Sequence, residues 1–353
     1  MPAGEQSPTP TPTFADPGEV AALVLAGSLR ALGRAVSWLE ADDPRAPRVL
    51  AALRQATERS GGAARSHGSR LIGLTGSPGS GKSSLADRMV EAYRGNGLRV
   101  AVIAVDPTSP YSGGAILGDR IRMTRWHGDA GVFVRSMATR GQLGGLAAAT
   151  LRIAALLDAA GYDRVLIETV GVGQSEVDVA AVADTTVLVM TPAGGDGVQA
   201  FKAGVMEIAD LFVINKADLP GADRLRRDVR AAQGLSEPEP DGWTAPVVQT
   251  RASDGTGVSV LLSALDEHAD WLAAHGGDTR RRHGRVRAEL AAALRRQAAM
   301  ALDAGADDRL REVAEGRATA EEVAVELLRA WSAQADTADP AGCASGDAVR
   351  SEP

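Results

Sequence analysis

What this chain lacks narrows its possibilities first. It has one cysteine, Cys343, in a polar tail, so no internal disulfide can form and a reducing, cytoplasmic setting is expected. Aromatic residues make up only 3% of the chain against 44% apolar, so the core must be built from Ala, Val, Leu and Ile. No apolar run approaches the roughly 18 residues of a membrane span, and no membrane association is expected. The N-terminal "MPAGEQSPTPTPTFADPG" has neither a basic start nor an apolar centre, so it reads as a disordered leader rather than a secretory signal. Positive charge is in deficit: the net charge is -7, which argues against a nucleic-acid partner.

Lysine is scarcer still. Of 38 basic residues only three are lysine, namely Lys82, Lys202 and Lys216. A compact ammonium and a planar guanidinium differ at phosphate and backbone sites. The three lysines are therefore candidates for positions where arginine cannot substitute.

A length of 353 residues accommodates one domain of about 200 residues with helical additions. Residues 1–18 are the leader. Residues 19–64 form an N-terminal extension, helical over 19–60 with a break at Asp42, Asp43 and Pro44. Over 65–275 the pattern changes. Apolar strand candidates lie at 70–75, 99–105, 132–135, 164–169, 186–190, 211–215 and 246–250. Helical stretches between them include 82–94, 143–160, 222–233 and 257–274. Continuous apolar strands separated by helices predict an α/β fold, a mostly parallel sheet covered on both faces. Residues 276–335 read as a C-terminal helical arm and 336–353 as a disordered tail. The basic stretches 224–230 and 280–287 read as solvated helix faces, with a dimer or partner contact as the functional alternative.

Directly after the first strand comes "GSPGSGKSS", comprising Gly76, Ser77, Pro78, Gly79, Ser80, Gly81, Lys82, Ser83 and Ser84. This is the phosphate-loop pattern of P-loop NTPases. Its glycines let backbone N–H groups wrap phosphates, Lys82 reaches the outer phosphates, and Ser83 can bind Mg²⁺. A later strand closes on "NKAD", with Asn215, Lys216 and Asp218. A carboxylate at Asp218 can accept from both N1–H and the 2-amino group of guanine; adenine lacks that amino donor. "TRASDGTG" at 250–257 resembles the loop that closes over the base, with Arg251-Ala252 where Ser-Ala is usual. Lys202 follows the strand at 186–190, in a position to approach the phosphates or an adjoining switch.

Between these motifs, Asp106 ends a strand and Asp119 follows in a Gly-, Ser- and Pro-rich loop. Two acids beside a nucleotide can hold Mg²⁺ through water and orient the attacking water. The strand at 164–169 then runs into Glu168, Thr169, Val170 and Gly171, where regulatory GTPases carry Asp-x-x-Gly. Val172 stands where Ras-like enzymes place a water-orienting Gln, so intrinsic hydrolysis is expected to be slow and partner-stimulated.

In the order "GSPGSGKSS", "DPTSP…GGAILGDRIRM", "ETVGVGQSE", "PAGGDGVQAFKAG" and "NKAD", these motifs resemble the MeaB/ArgK-type GTPases, G-protein chaperones of adenosylcobalamin-dependent acyl-CoA mutases. The resemblance spans about residues 20–335. It implies a SIMIBI-class G domain, GTP and GDP as ligands, and Mg²⁺ held by Ser83, Asp106, Asp119 and Glu168. It also implies a switch around Lys202 that contacts the mutase, and a C-terminal arm that makes a homodimer. The implied catalytic group is Lys82, Asp106, Asp119, Glu168 and Lys202, with Gly171 sensing the γ-phosphate. The implied task is to gate loading, protection and reactivation of the mutase cofactor, with an adenosyltransferase as a further partner and no cobalamin held by this chain. Arg251 and the run "RRRHGRVR" at 280–287 depart from the family pattern.

Three other readings fare worse. A nickel-insertion GTPase needs a His/Cys ligand set, and the five histidines here are scattered. A kinase of small molecules or transport proteins needs an acceptor site that the motifs do not supply. A signal-recognition-type GTPase needs a Met-rich domain, and the seven methionines are dispersed.

Overall fold

The computed structural model describes residues 14–59, 69–106, 123–138, 145–169, 175–192, 205–234, 242–303 and 307–338. All seven expected strands form: β1 (Arg70–Thr75), β2 (Val100–Asp106), β3 (Val132–Ala138), β4 (Arg164–Thr169), β5 (Thr185–Met190), β6 (Leu211–Ile214) and β7 (Val247–Gln249). They make one parallel sheet in the order β3-β2-β4-β1-β5-β6-β7. β1 lies at the centre, between β4 and β5. The chain thus winds first to one side of β1 and then to the other, which opens a crevice at the carboxyl ends of the central strands.

Alternation along the strands explains the two cores. Ala101, Ile103 and Val105 of β2 point to one face, where they join Val165 and Ile167 of β4. Val100 and Val102 point to the other, with Ile72, Leu74, Val187 and Val213. Both faces are covered, so no strand shows a polar side. The first face is closed by α5 (Gly145–Ala159), α6 (Ser175–Val182) and the N-terminal helices α1 (Pro17–Leu25), α2 (Leu29–Glu40) and α3 (Arg45–Arg59). The second is closed by α4 (Lys82–Gly95) and α8 (Val258–Ala274), while α7 (Ala222–Gln233) covers β6 in a smaller third cluster.

The N-terminal extension breaks once more than the periodicity predicts. Gly27, at φ +85°, ends α1, and the Ser28 hydroxyl caps α2 by accepting from the Ala31 N–H at 3.2 Å. Two arginines of the sheet unit bind the end of α2. Arg135 donates to Glu40 and to the Ser37 hydroxyl, and Arg152 donates to the Leu39 carbonyl and to Asp42.

By contact density the chain divides into residues 1–289 and 290–353, so the break falls inside α9 (Gly277–Asp303). The first turns of α9 correct the reading of residues 280–287 as a solvated face. Arg281 donates to both carboxylate oxygens of Asp210 and to the Asp184 carbonyl. Arg285, one turn on, donates to the Asp184 carboxylate and the Val182 carbonyl. Those acids are themselves fixed, because Asp184 accepts from the Leu71 N–H and Asp210 from the Thr186 N–H, each at 2.8 Å. The i, i+4 spacing of the two arginines puts both on the inward face of the helix. Arg282, His283 and Arg287 remain exposed. Within the 224–230 stretch, Arg224 and Arg226 pair locally with Asp228 and Asp223 on an exposed face.

The second unit continues through α10 (Asp307–Ala314) and α11 (Ala320–Ala338). Thr319 and Glu322 form a reciprocal capping box at the start of α11. Among the described residues no helix is long and apolar enough to cross a membrane.

Arg281→Ala should destabilise the protein by about 2 kcal/mol, because it strips a charged partner from a largely buried carboxylate. Arg282→Ala should stay within about 0.5 kcal/mol. Urea midpoints of the two variants test this, and equal effects would mean that the Asp210 and Asp184 contacts hold nothing.

Candidate active site

The phosphate-loop sequence lies at the carboxyl end of the central strand. Two of its glycines are required by neighbours rather than by a turn alone. Gly76 sits at φ +133°, and a Cβ there would overlap the carbonyl of Val189 on β5. Gly81 sits at φ +91° as the N-cap of α4, and a Cβ there would overlap the side-chain amide of Asn215. Between them Pro78 and Gly79 form an exposed tip, and Ser77 and Ser80 are joined by a 3.2 Å backbone hydrogen bond. The first amides of α4 open toward this loop, at the positive end of the helix.

Lys82 is 5% exposed and donates to the carbonyls of Gly76 and Ser77, at 2.6 and 3.0 Å. Its ammonium is thus folded across its own loop. Ser83 is also buried and donates to Glu168 Oε1 at 2.5 Å. Glu168 stands at the end of β4, next to β1, and is 4% exposed. The two residues are 85 apart in sequence, and sheet order alone brings them together. Ser84 faces solvent.

Asn215 is the hub of the site. Its side chain is 1% exposed and donates to the Ser80 carbonyl at 2.9 Å. Its Oδ1 accepts from the Thr250 hydroxyl at 3.2 Å and from the Ala252 N–H at 3.1 Å. One amide therefore joins the phosphate loop, the NKAD turn and the loop after β7. Lys216 adopts φ +55°, a costly conformation for a side-chain-bearing residue. It is held there by the Ala217 N–H donating to the Thr250 carbonyl at 3.0 Å, and its ammonium donates to the Gly79 carbonyl at 2.8 Å. Asp218 follows in the same turn with its carboxylate exposed to solvent.

The loop after β7 is stapled shut. Arg251 and Thr256 pair as an antiparallel bridge, and Arg251 pairs with Asp254 at 2.6 Å. The Thr256 amide and hydroxyl, and then Arg251, pull the Asp254 carboxyl down to about 2. This staple is complete above the carboxyl's ordinary value of 3.8 and is lost as pH falls through about 2. So Arg251, which departs from the usual Ser, acts as a loop brace.

The family model described as "Methylmalonyl Co-A mutase-associated GTPase MeaB" matches residues 32–306, most of the chain. The chain belongs to the MeaB family of GTPases. A relative in Pyrococcus abyssi, provisionally named a GTPase, is 46% identical over 266 residues, covering 75% of this chain and 79% of the relative. The mouse protein "Methylmalonic aciduria type A homolog, mitochondrial" is 38% identical over 208 residues, 58% of this chain and 50% of that one. The crystal structure of a "LAO/AO transport system kinase" superposes with a TM-score of 0.63 at 25% identity, covering 92% of this chain and 99% of that one.

For a MeaB-family chain the described residues gather most of the expected site. Gly76 to Ser84, Glu168, Asn215, Lys216, Asp218, Arg251 and Ala252 all lie at the carboxyl ends of β1, β4, β6 and β7 or in the loops that follow. Asp106 is the last residue of β2, beside β4, with its carboxylate outside the described set. Asp119, Gly171, Val172 and Lys202 lie outside the described residues. No cluster of three or more His, Cys, Asp or Glu side chains suited to a metal occurs among the described residues. Sequence reading missed Arg88 of α4, which donates to the carbonyls of Ala252 and Ser253. Its only sequence signal is its place on α4, six residues after Lys82.

Asn215→Ala should cost about 2–3 kcal/mol of stability, because it strands the Ser80 carbonyl and the Ala252 amide. It should also lower nucleotide affinity by about a hundredfold. Gly81→Ala should do the same by displacing the Asn215 side chain, while Pro78→Ala at the exposed tip should change neither. Thermal melts and calorimetric titration read both quantities; a Gly81→Ala protein with wild-type affinity would show that the Asn215 approach is not required.

Proposed function

We propose that this MeaB-family chain binds and hydrolyses GTP, and uses the cycle to gate adenosylcobalamin loading, protection and reactivation of an adenosylcobalamin-dependent acyl-CoA mutase. The observation that carries the GTPase chemistry is the buried 2.5 Å hydrogen bond from Ser83 to Glu168. It sets a hydroxyl and a carboxylate at the foot of the phosphate loop.

That pair fits Mg²⁺. Hard oxygen donors suit the ion, which characteristically takes one or two protein ligands and completes its shell with phosphate and water. Ser83 and Glu168 would hold it, joined by Asp106 and Asp119 as the family resemblance implies. When bound, the ion neutralises charge that develops on the phosphate oxygens.

The residues of the chain do the rest. Lys82 exchanges two carbonyl partners for the outer phosphates and supplies a fixed positive charge where negative charge builds. The amides at the start of α4 bind phosphate oxygens. Asn215 holds the phosphate loop and the base-closing loop at one spacing, so Asp218 meets the guanine edge while the phosphates sit over Gly81. Val172 gives no side-chain group to orient water, so hydrolysis alone is slow, and a mutase that reshapes the switches accelerates it. The family resemblance assigns Lys202 to the switch through which that stimulation acts.

Partner choice rests on the family match. Homodimer formation is supported by the exposed apolar residues Leu290 and Leu294, four residues apart on α9 in the second unit. The energy of gating must come from different mutase affinities of the GTP and GDP forms.

Phosphate-release assays with and without an adenosylcobalamin-dependent acyl-CoA mutase test the proposal. Wild-type turnover should rise at least about tenfold with the mutase. Glu168→Ala should keep nucleotide binding within about threefold but lose at least about a hundredfold in Mg²⁺-dependent hydrolysis. Rapid turnover without a partner, or normal turnover by Glu168→Ala, would contradict it.

A further inference from the structure

We infer that Arg88 is a specificity-determining positioning residue for the base: it sets the height of the loop after β7 above the nucleotide site. This rests on the reading of that site as a guanine-nucleotide site. Arg88 projects from α4, the helix whose N-terminus carries the phosphate loop. Its Nε donates to the Ala252 carbonyl at 3.0 Å and one terminal nitrogen donates to the Ser253 carbonyl at 2.6 Å. The planar fork thus grips two successive carbonyls, which fixes both position and tilt of the peptide between them. Ala252 is also the residue whose N–H meets Asn215. The base-closing loop is therefore held from two sides, by Asn215 through an amide and by Arg88 through the carbonyls.

Arg88 is itself braced. Its remaining nitrogen donates to Glu91 at 2.8 Å, and Glu91 also receives Arg125 at 3.3 Å. Arg125 in turn donates to Asp87 at 2.9 Å, and the Trp126 N–H donates to the same oxygen at 2.8 Å. Hydrogen bonds from Arg88, and then from Arg125, hold the Glu91 carboxyl below its usual range, so the brace is ionic at neutral pH. Three side chains on one face of α4, Asp87, Arg88 and Glu91, thereby connect the turn at Thr124–Trp126 to the base-closing loop.

Asp218 lies in an exposed turn, and in the guanine reading it meets the base from one side. A loop that drifts leaves the base free to shift along that carboxylate. The loss then falls hardest on contacts that need exact placement, namely those to the 2-amino group of guanine. Inosine diphosphate lacks only that group, so the ratio of GDP to IDP affinity reads the placement directly.

The experiment is calorimetric titration of the full chain with GDP and with IDP, comparing wild type, Arg88→Ala, Arg88→Lys and Asp218→Asn. Arg88→Ala should weaken GDP by about tenfold and IDP by about threefold or less, shrinking the ratio. Arg88→Lys keeps the charge and one donor direction and should recover part of it. An unchanged GDP affinity in Arg88→Ala would overturn the assignment. So would equal losses for GDP and IDP, since those indicate general loosening of the fold. Should wild type fail to prefer GDP over IDP, the guanine reading itself falls. Should Asp218→Asn abolish the preference while Arg88→Ala leaves it intact, the guanine reading stands and the role of Arg88 falls alone.

Discussion

The site depends on one buried amide. Asn215 directly follows β6, yet its side chain reaches the phosphate loop that follows β1, passing over β5, which lies between those strands. That reach is possible only because Gly81 has no Cβ, and the loop lies low enough for it only because Gly76 has none against β5. Two glycines that look like generic loop residues thus answer to two specific neighbouring strands. Replacing either should change the distance between the phosphate loop and the NKAD turn.

The opposite edge of the sheet is organised by charge. Asp184 and Asp210 precede β5 and β6, bind backbone amides of the strands, and are gripped by Arg281 and Arg285 of α9. Chemistry gathers at the carboxyl ends of the strands and anchoring at their amino ends. A cation held against a largely buried carboxylate contributes little in net terms while both are present, but removing one leaves the other stranded. This arrangement fixes the first turns of α9 against the amino ends of β5 and β6.

Much of this was legible in the sequence, for physical reasons. Each strand is buried on both faces and therefore reads as an uninterrupted apolar run, so all seven were found, with ends differing by a few residues. The phosphate loop and NKAD were legible because glycine, lysine and asparagine there have no close substitutes. In a chain so poor in lysine, both lysines among the described residues, Lys82 and Lys216, grip loop carbonyls with their ammonium groups. What stayed hidden depends on separation. Arg281 pairs with an acid 71 residues away and Arg88 with carbonyls 164 and 165 residues away, and no local pattern encodes such partners. An arginine on a helix reads as solvated until the fold shows what faces it. The extra break at Gly27 was missed because the apolar spacing continues across it.

In the proposed site Asn215 joins the loops and Asp218 reads the 2-amino group of guanine, so exchange of that carboxylate for an amide should change which base is preferred. Xanthine carries a carbonyl where guanine carries its 2-amino group, so an amide side chain can donate to xanthine where a carboxylate would be repelled. Binding of GDP and XDP to wild type and to Asp218→Asn should therefore reverse in order. Wild type should favour GDP and the variant XDP, each by about tenfold or more. An order of affinities that is the same in both proteins would contradict the account.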